Sequence, residues 1–262
     1  FKVQDLYIED HKIVSGEGEV SDKTVIDASG LKVIPGLVDV HSHGAFGHDF
    51  SDADAEGLKI ILRYEKSHGI TSYCPTSMTL PAEDLKEIFS TIKEVGTLED
   101  GATVRGINME GPFLDPKKKG AHVEGYIRPA DAEFFRDLNA YSGNMVKLVT
   151  LAPNMEGAME FIDQVHDEVC ISLGHTGADY AIASEAMRRG AHHVTHLYNA
   201  MMPLAHREPG LIGAALDDGQ CMVEMICDGI HIHPSVIRAT FKMFGPERVV
   251  LISDSMMATG ME

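Results

Sequence analysis

Eight short apolar runs recur from residue 37 onward, and they constrain the fold more than any other feature of this sequence. In chain order they are LVDV (37–40), ITSYC (70–74), TVRGINM (103–109), MVKLVTL (145–151), EVCISL (168–173), HHVT (192–195), CMVEMI (221–226) and RVVLIS (248–253). Runs of this length are typical of strands buried on both faces, as in a parallel sheet.

Segments with helical periodicity lie between most of these runs. In residues 81–95, a proline near the start precedes an apolar face formed by Leu85, Ile88, Phe89, Ile92 and Val95. Residues 178–190 and 234–245 also have helical character, and each ends in glycine. Eight strands alternating with helices predict an α/β fold of the (β/α)₈, TIM-like barrel class.

Residues 1–34 have a different pattern. FKVQDLYIEDHKIV alternates apolar and polar residues, and SGEGEVSDKTVIDASG supplies turns between short strands. We therefore expect two domains, a small β domain over 1–34 and the barrel over 35–262.

Composition excludes several classes of protein. The chain has 262 residues, 44% of them hydrophobic, and no apolar run approaches the length that spans a membrane. A formal net charge of −18 argues against nucleic acid or an anionic membrane as the partner. The four cysteines form no CxxC pair, which favours a reducing compartment and hence the cytoplasm.

Polar residues follow most of the apolar runs, at the end of a barrel where active sites form. They are His41, His43, Glu110, His175, His196, Asp228, His231 and Asp254. Any one of them has an ordinary structural explanation, and the His41–His43 pair alone suits solvated loop residues as well as a metal. Four of these histidines and two of these carboxylates, converging on one mouth, are enough to indicate a hydrolytic metal site with nitrogen and oxygen ligands.

Several motifs carry a family resemblance. PGLVDVHSHG, MEGPFLDPKKKGAH, LGHTGA, VTHLYNAM, REPGLIGAAL, CDGIHIHP and LISDS resemble the amidohydrolase superfamily and, within it, the N-acetylglucosamine-6-phosphate deacetylase family. The resemblance runs from about residue 30 to the last residue. That family continues beyond the point reached by residue 262, so the small β-sandwich domain is expected here as its N-terminal half only.

The resemblance implies roles for individual residues. Glu110, His175 and His196 match the main metal ligands, and His41 and His43 match a second metal site with Glu110 as the bridge. Asp254 matches the catalytic acid/base. Substrate-binding positions are matched by Ala121, His122, Asn199, Ala200, Arg207, Asp228 and His231. Among these, His122 is also expected to stabilise the oxyanion, and Arg207 to reach the phosphate in the neighbouring subunit of a homodimer.

The implied reaction is hydrolysis of the acetamide of N-acetylglucosamine 6-phosphate to glucosamine 6-phosphate and acetate. It would use one or two divalent ions, with zinc or iron favoured by His and Glu ligands. Two alternatives stay open, another amidohydrolase of the cyclic-amidase or dihydroorotase type and an inactive metal-binding relative. Several residues also have simpler interpretations: His122 as a solvated loop residue, Lys117, Lys118 and Lys119 as a solvated face, Arg207 paired with Glu208, and Asp228 as a turn cap.

Overall fold

The computed structural model describes residues 2–10, 12–16, 18, 21 and 24–261. Contacts between Cα atoms divide the chain into two units, Phe1–Gly36 and Leu37–Glu262. The expected boundary between residues 34 and 35 lies close to this division and stays a prediction. None of the described helices combines the length and the apolar character needed to cross a bilayer.

The first unit contains one antiparallel strand pair. Strands Tyr7–Glu9 and Lys12–Val14 pair with Tyr7 opposite Val14 and Glu9 opposite Lys12. Between residues 15 and 36, the described residues form no further strand, although short strands were expected there. Val25 and Ile26 are 87% and 84% exposed. Among the residues that the structure describes, these apolar side chains have no strand to pair with, and an isolated strand is not stable in water.

The second unit is built on eight parallel strands, one for each apolar run. They are β1 (Leu37–Ser42), β2 (Ile70–Ser77), β3 (Ile107–Glu110), β4 (Val146–Leu151), β5 (Cys170–Leu173), β6 (His193–Val194), β7 (Met222–Ile226) and β8 (Val249–Ile252). Each strand pairs in parallel with the next, and the short strand Thr103–Val104 also pairs with β2. Two short antiparallel strands, Gly44–Ala45 and His48–Asp49, follow β1.

Hydrogen bonds beyond the strand ends bring β1 and β8 together. The amide of Asp254 donates to the carbonyl of His41 at 2.9 Å, and the amide of His43 donates to the carbonyl of Ser255 at 2.8 Å. The side chain of Asp39 accepts from the amides of both His41 and Ser253. The predicted TIM-like barrel is confirmed, and its seam lies beside the first pair of candidate ligands.

Seven α-helices lie between the strands. They are α1 (Ala55–Ser67), α2 (Ala82–Val95), α3 (Ala132–Ser142), α4 (Ala158–Val165), α5 (Tyr180–Arg188), α6 (Gly210–Asp217) and α7 (Pro234–Phe244). Short 3₁₀ turns occur at Phe50–Asp52, Pro116–Lys118, Glu124–Tyr126 and Pro246–Arg248. The apolar face predicted for residues 81–95 is buried in α2, except for the partly buried Ile92.

The core lies between the helices and the outer face of the barrel. Phe89, Phe135 and Phe161 are at most 1% exposed and come from three successive helices. Burying a side chain of this size stabilises the fold by about 1.5–3 kcal/mol. This packing fixes the strands, and therefore the positions of the side chains that follow them.

One buried carboxylate in the last turn of α1 has no partner. Glu65 is 4% exposed, and its side chain forms no hydrogen bond or ion pair with any residue that the structure describes. Burial, together with the negative charge of Asp39, raises the pKa of Glu65 to about 7. The folded state therefore holds a proton on Glu65 at pH values at which the unfolded chain has released it.

We expect the Glu65→Gln variant to be more stable than the wild type at pH 8 and nearly equal to it at pH 4. Because the folded-state pKa is raised, the contribution of Glu65 is fully present below the unfolded pKa and is lost as the pH rises through about 7. The gain at pH 8 should be about 1–3 kcal/mol. Urea unfolding across this pH range, with the exposed Glu94→Gln as control, measures it. A gain that does not change with pH would contradict this prediction.

Candidate metal centre

The carboxylate of Glu110, at the end of β3, is surrounded by imidazole nitrogens. Its Oε1 lies 3.1 Å from Nε2 of both His175 and His196, and 3.5 Å from Nε2 of His41. Its Oε2 lies 3.3 Å from Nε2 of both His43 and His122. All these side chains are at most 10% exposed. The structure thus brings together every metal ligand expected from the sequence.

Sharp backbone turns at the strand ends direct these side chains inward. His175, His196 and Asp254 follow β5, β6 and β8 and have φ values of 45°, 29° and 48°. Left-handed backbone is unfavourable for residues other than glycine, and it is often found at functional sites. The turns end each strand abruptly, so that the next side chain points into the mouth of the barrel.

Hydrogen bonds on the outer side of three rings determine which nitrogen faces Glu110. Nδ1 of His43 donates to the carbonyl of Thr76 at 3.1 Å, and Nδ1 of His175 donates to the carbonyl of Lys118 at 2.9 Å. Nδ1 of His41 lies 2.9 Å from the carboxylate of Glu224. Carbonyl and carboxylate oxygens only accept, so each Nδ1 carries a proton. In the neutral ring each Nε2 is then left with a lone pair directed at the centre.

In His122 the ring proton is on the other nitrogen. Its Nδ1 accepts a hydrogen bond of 3.1 Å from the backbone amide of Thr79. A nitrogen that accepts carries no proton, so Nε2 carries it and acts as a donor. Burial lowers the pKa of His122 and outweighs the attraction of Glu110, which favours the neutral ring. His122 is therefore suited to donate a hydrogen bond rather than to bind a metal, although its Nε2 lies near Glu110.

The charges of the cluster favour a cation at its centre. Burial alone would raise the pKa of Glu110, but the charge of His41 and hydrogen bonds from the other rings hold it well below its ordinary value. Burial would likewise lower the pKa of His43, yet Asp254 and Glu110 raise it to about 9. The two carboxylates therefore attract positive charge, which protons or a divalent cation can supply.

The residues present fit a divalent metal. Nε2 of His41 is buried without a hydrogen-bond partner among the described residues, 3.5 Å from Glu110 Oε1 and 3.6 Å from Asp254 Oδ1. His41, His43 and Glu110 form one group of ligand atoms, all within 4.8 Å of one another. The Nε2 atoms of His175 and His196 are 2.9 Å apart, and both lie 3.1 Å from Oε1 of Glu110, the same oxygen that Nε2 of His41 approaches. Imidazole nitrogens around a shared carboxylate suit one or two ions of the zinc or iron type.

Asp254 connects the cluster to an open cleft. Its Oδ1 lies 3.3 Å from Nε2 of His43, and hydrogen bonding from that ring helps to lower the pKa of Asp254 to about 2 against the opposing effect of burial. The cleft beside it has a volume of about 470 Å³. Its lining includes Asp228, His231, Ser253, Ser255 and Thr259. An ionised carboxylate therefore lies between the candidate metal position and a space for a small ligand.

Two substrate-binding candidates form a pair at the far side of this cleft. Nδ1 of His231 lies 2.7 Å from Oδ2 of Asp228, whose Oδ1 accepts from the amides of Ile230 and His231. Asp228 thus caps the turn, as one interpretation of the sequence expected. Asp228 also orients the ring of His231 beside the cleft. It can therefore cap the turn and still belong to the substrate site.

The other substrate-binding candidates lie on loops around the mouth. Asn199 directs its amide to the carbonyl of His196, and Ala200 accepts from the amide of Thr176. Ala121 is exposed next to the buried His122. Arg207 is exposed and forms no ion pair with any described residue, so the alternative pairing with Glu208 is not seen. Their contacts with a substrate stay predictions.

The lysine-rich loop is more involved in the site than the sequence suggested. Besides the carbonyl that orients His175, the ammonium group of Lys118 donates to the carbonyl of Met201 at 3.2 Å, and that of Lys119 donates to the carbonyl of His122 at 3.3 Å. The buried Asp115 anchors the loop by accepting from Asn154 and Gly177. The interpretation of Lys117–Lys119 as a solvated face is therefore wrong for Lys118 and Lys119, because both ammonium groups bond to loop carbonyls of the protein.

Sequence reasoning did not identify Thr76, Thr79 and Glu224, which orient three of the rings. Glu224 was counted only as part of the apolar run CMVEMI, and Thr79 lies in a loop without a recognisable motif. A charged residue at the centre of a buried strand was a usable signal for Glu224, since such residues are almost always paired when buried. For Thr79, the backbone amide makes the contact, so no side-chain signal exists.

Comparisons with known proteins agree with this architecture. The model of the amidohydrolase family matches residues 32–260. The N-acetylglucosamine-6-phosphate deacetylase of Bacillus subtilis (strain 168) is 40% identical over 235 residues, and the match covers 88% of this chain but only 59% of that protein. The chain thus spans about three fifths of the length of that curated relative.

Solved structures give the same assignment. The crystal structure of N-acetyl-D-glucosamine-6-phosphate deacetylase from Mycobacterium smegmatis has a TM-score of 0.89 and 35% identity, covering 98% of this chain and 68% of that one. A mutant of that enzyme in complex with N-acetyl-D-glucosamine-6-phosphate has a TM-score of 0.82 and 36% identity, covering 87% and 60%. The chain therefore belongs to the amidohydrolase family and, within it, to the N-acetylglucosamine-6-phosphate deacetylases.

Proposed function

We propose that this protein hydrolyses the acetamide of N-acetylglucosamine 6-phosphate to glucosamine 6-phosphate and acetate. The observation that carries the proposal is the position of Asp254, 3.3 Å from His43 at the edge of the Glu110 cluster and facing an open cleft. The relatives named for this activity, and the solved complex of one of them with the phosphorylated sugar, support the choice of substrate. No lysine takes the bridging position of Glu110 in the described site, which speaks against the cyclic-amidase alternative.

Glu110, His175 and His196 would hold the main divalent ion, and His41 and His43 would hold a second with Glu110 between them. When bound, a divalent ion of this kind lowers the pKa of a water molecule toward about 7 and polarises a carbonyl group. Zinc and iron both suit this set of ligands. The remaining steps belong to side chains of the protein.

Asp254 serves as the base and then as the acid. Its low pKa keeps the carboxylate ionised at neutral pH, so it can accept a proton from the attacking water and return it to the leaving amine. The Nε2–H group of His122 donates a hydrogen bond to the oxygen of the acetyl group as negative charge develops there, and the proton stays on the ring. The backbone amide of Thr79 keeps this ring in the donating tautomer.

Residues around the cleft would hold the sugar phosphate. We place Asp228 and His231 at the sugar, and Ala121, Asn199 and Ala200 along the loops beside it. The substrate is a dianion and the chain has a formal net charge of −18, so a local cation must compensate for repulsion at long range. Arg207 is the candidate, because a guanidinium group binds phosphate through two parallel hydrogen bonds.

Two further features complete the proposal. Arg207 lies on an exposed loop, which suits a homodimer in which it binds the phosphate in the neighbouring subunit. The four cysteines are free thiols, which supports a reducing compartment such as the cytoplasm.

Removing the main ligands should remove the metal. We expect the triple variant Glu110→Ala, His175→Ala, His196→Ala to lose bound zinc or iron, measured by elemental analysis of the purified protein. His192→Ala, which replaces a histidine paired with Asp218 outside the cluster, is the control and should keep it. Unchanged metal content in the triple variant would refute the ligand assignment.

Replacing the proposed base should slow turnover without removing the metal. The Asp254→Asn variant keeps the size of the side chain but cannot accept the proton, so kcat should fall by roughly 10²–10⁴-fold. Acetate release and metal content are measured together. Asp167→Asn, at a side chain 94% exposed, is the control. Turnover close to the wild type in Asp254→Asn would exclude this residue from proton transfer.

The phosphate role of Arg207 predicts a loss that depends on the substrate. Arg207→Ala should lower kcat/KM for the phosphorylated sugar far more than for unphosphorylated N-acetylglucosamine. Arg238→Ala, which removes another exposed arginine, is the matched control. Equal losses on both sugars would refute the phosphate role.

The shared dimer site has a separate test. When Arg207→Ala and Asp254→Asn chains are mixed, hybrid dimers should regain part of the activity, because one site then has both intact residues. No recovery in dimers shown to be mixed would refute the shared site and leave the phosphate role standing.

A further inference from the structure

Glu224 is a fully buried carboxylate behind the metal centre. It lies at the middle of β7 and its side chain is 0% exposed. The residues on either side of it, Val223 and Met225, are also completely buried. A charge in such surroundings is costly unless it is paired. The hydrogen-bond partners of Glu224 therefore indicate its structural role.

One oxygen of Glu224 contacts both halves of the cluster. Oε2 lies 2.9 Å from Nδ1 of His41 and accepts from the backbone amide of His196 at 3.1 Å. The backbone carbonyl of Glu224 also accepts from the amide of Leu197 at 2.8 Å. Glu224 thus orients a ring of the first ligand group and holds the left-handed turn that directs His196 into the second.

Three groups accept hydrogen bonds from the Nδ1 atoms of His41, His43 and His175. Of these three groups, only the side chain of Glu224 is charged. His43 and His175 donate to neutral backbone carbonyls, whereas His41 donates to a carboxylate. A carboxylate behind a histidine makes its metal-facing nitrogen a stronger ligand. It also adds a fully buried negative charge behind His41 to the charges of Glu110 and the partly exposed Asp254. A second divalent cation in the His41–His43 half would help to compensate for this added negative charge.

We infer that Glu224 is a positioning residue that enables the His41–His43 half of the centre to hold a second divalent ion. The inference rests on the proposed function and adds to it a residue outside the ligand set. Glu224 acts through His41, whose inward Nε2 is buried and has no hydrogen-bond partner among the described residues. Glu224 contacts the ring of His41 but only the backbone amide of His196, so we expect the main ion to depend chiefly on Glu110, His175 and His196 themselves.

The test is metal stoichiometry and affinity in the Glu224→Gln variant. The protein is freed of metal, titrated with Zn²⁺ against a competing chelator, and analysed for ions per chain. The wild type should bind two ions. In Glu224→Gln the second ion should bind about 10–100-fold more weakly. The first should change by no more than a few-fold. Glu65→Gln, which replaces a buried carboxyl group that makes no hydrogen bond to the cluster among the described residues, should bind both ions as the wild type does.

A double-mutant cycle shows whether Glu224 acts through His41. His41→Ala should weaken the second ion as well, and adding Glu224→Gln to it should cause little further loss. Independent losses that add in the double variant would overturn the inference, as would equal weakening of both ions in Glu224→Gln. If Glu224→Gln does not fold, Glu224→Asp, which keeps the charge but shortens the side chain, is titrated by the same criteria.

The result separates this inference from the proposed function. A wild-type protein that releases acetate with one ion per chain would overturn the role of Glu224 and leave the deacetylase proposal intact. A wild-type protein that binds no divalent ion would overturn both.

Discussion

The buried carboxylate of Glu110 is the constraint on which the rest of the structure depends. A carboxylate that is 3% exposed needs compensating charge, and here imidazole rings from separate strand ends face its two oxygens. The left-handed turns at His175 and His196 follow from this need, because a regular continuation of β5 or β6 would carry these rings away from the centre. Such turns cost about 1–3 kcal/mol each, which the surrounding contacts and a bound cation must offset.

The direction of single hydrogen bonds separates ligands from the donor within this ring of histidines. His175 and His122 both lie 3.1–3.3 Å from Glu110. The carbonyl of Lys118 leaves His175 a lone pair toward the centre, whereas the amide of Thr79 leaves His122 a proton there. Residue type and distance alone would place both rings in the metal site. The polarity of the backbone behind each ring suits His175 to bind a cation and His122 to donate a hydrogen bond.

Much of the fold and the inner site could be predicted from the sequence, because both depend on regular spacing. The apolar runs predicted all eight barrel strands, and the polar residues at the ends of these runs predicted Glu110 and the ligand histidines around it. The contacts that orient the rings could not be predicted in this way. Glu224 looks like a defect in an apolar strand until the barrel places it, on β7, against His41 on β1. The contact from Thr79 uses a backbone atom that every residue except proline has. Residues 15–34 were also predicted less well, since a strand depends on a partner that local sequence does not specify.

The contacts that close the barrel also bring together part of the candidate site. Asp254 follows the last strand, whereas His41 lies near the end of the first strand and His43 follows it. The proposed base therefore approaches these rings only when β8 reaches β1. The amide of Asp254 donates to the carbonyl of His41, and Asp39 accepts amides from both sides of the seam. The backbone contacts that close the seam thus set the 3.3 Å separation between Asp254 and His43. A change that loosens the seam would therefore separate Asp254 from the candidate metal centre while leaving Glu110, His175 and His196 together at the ends of β3, β5 and β6.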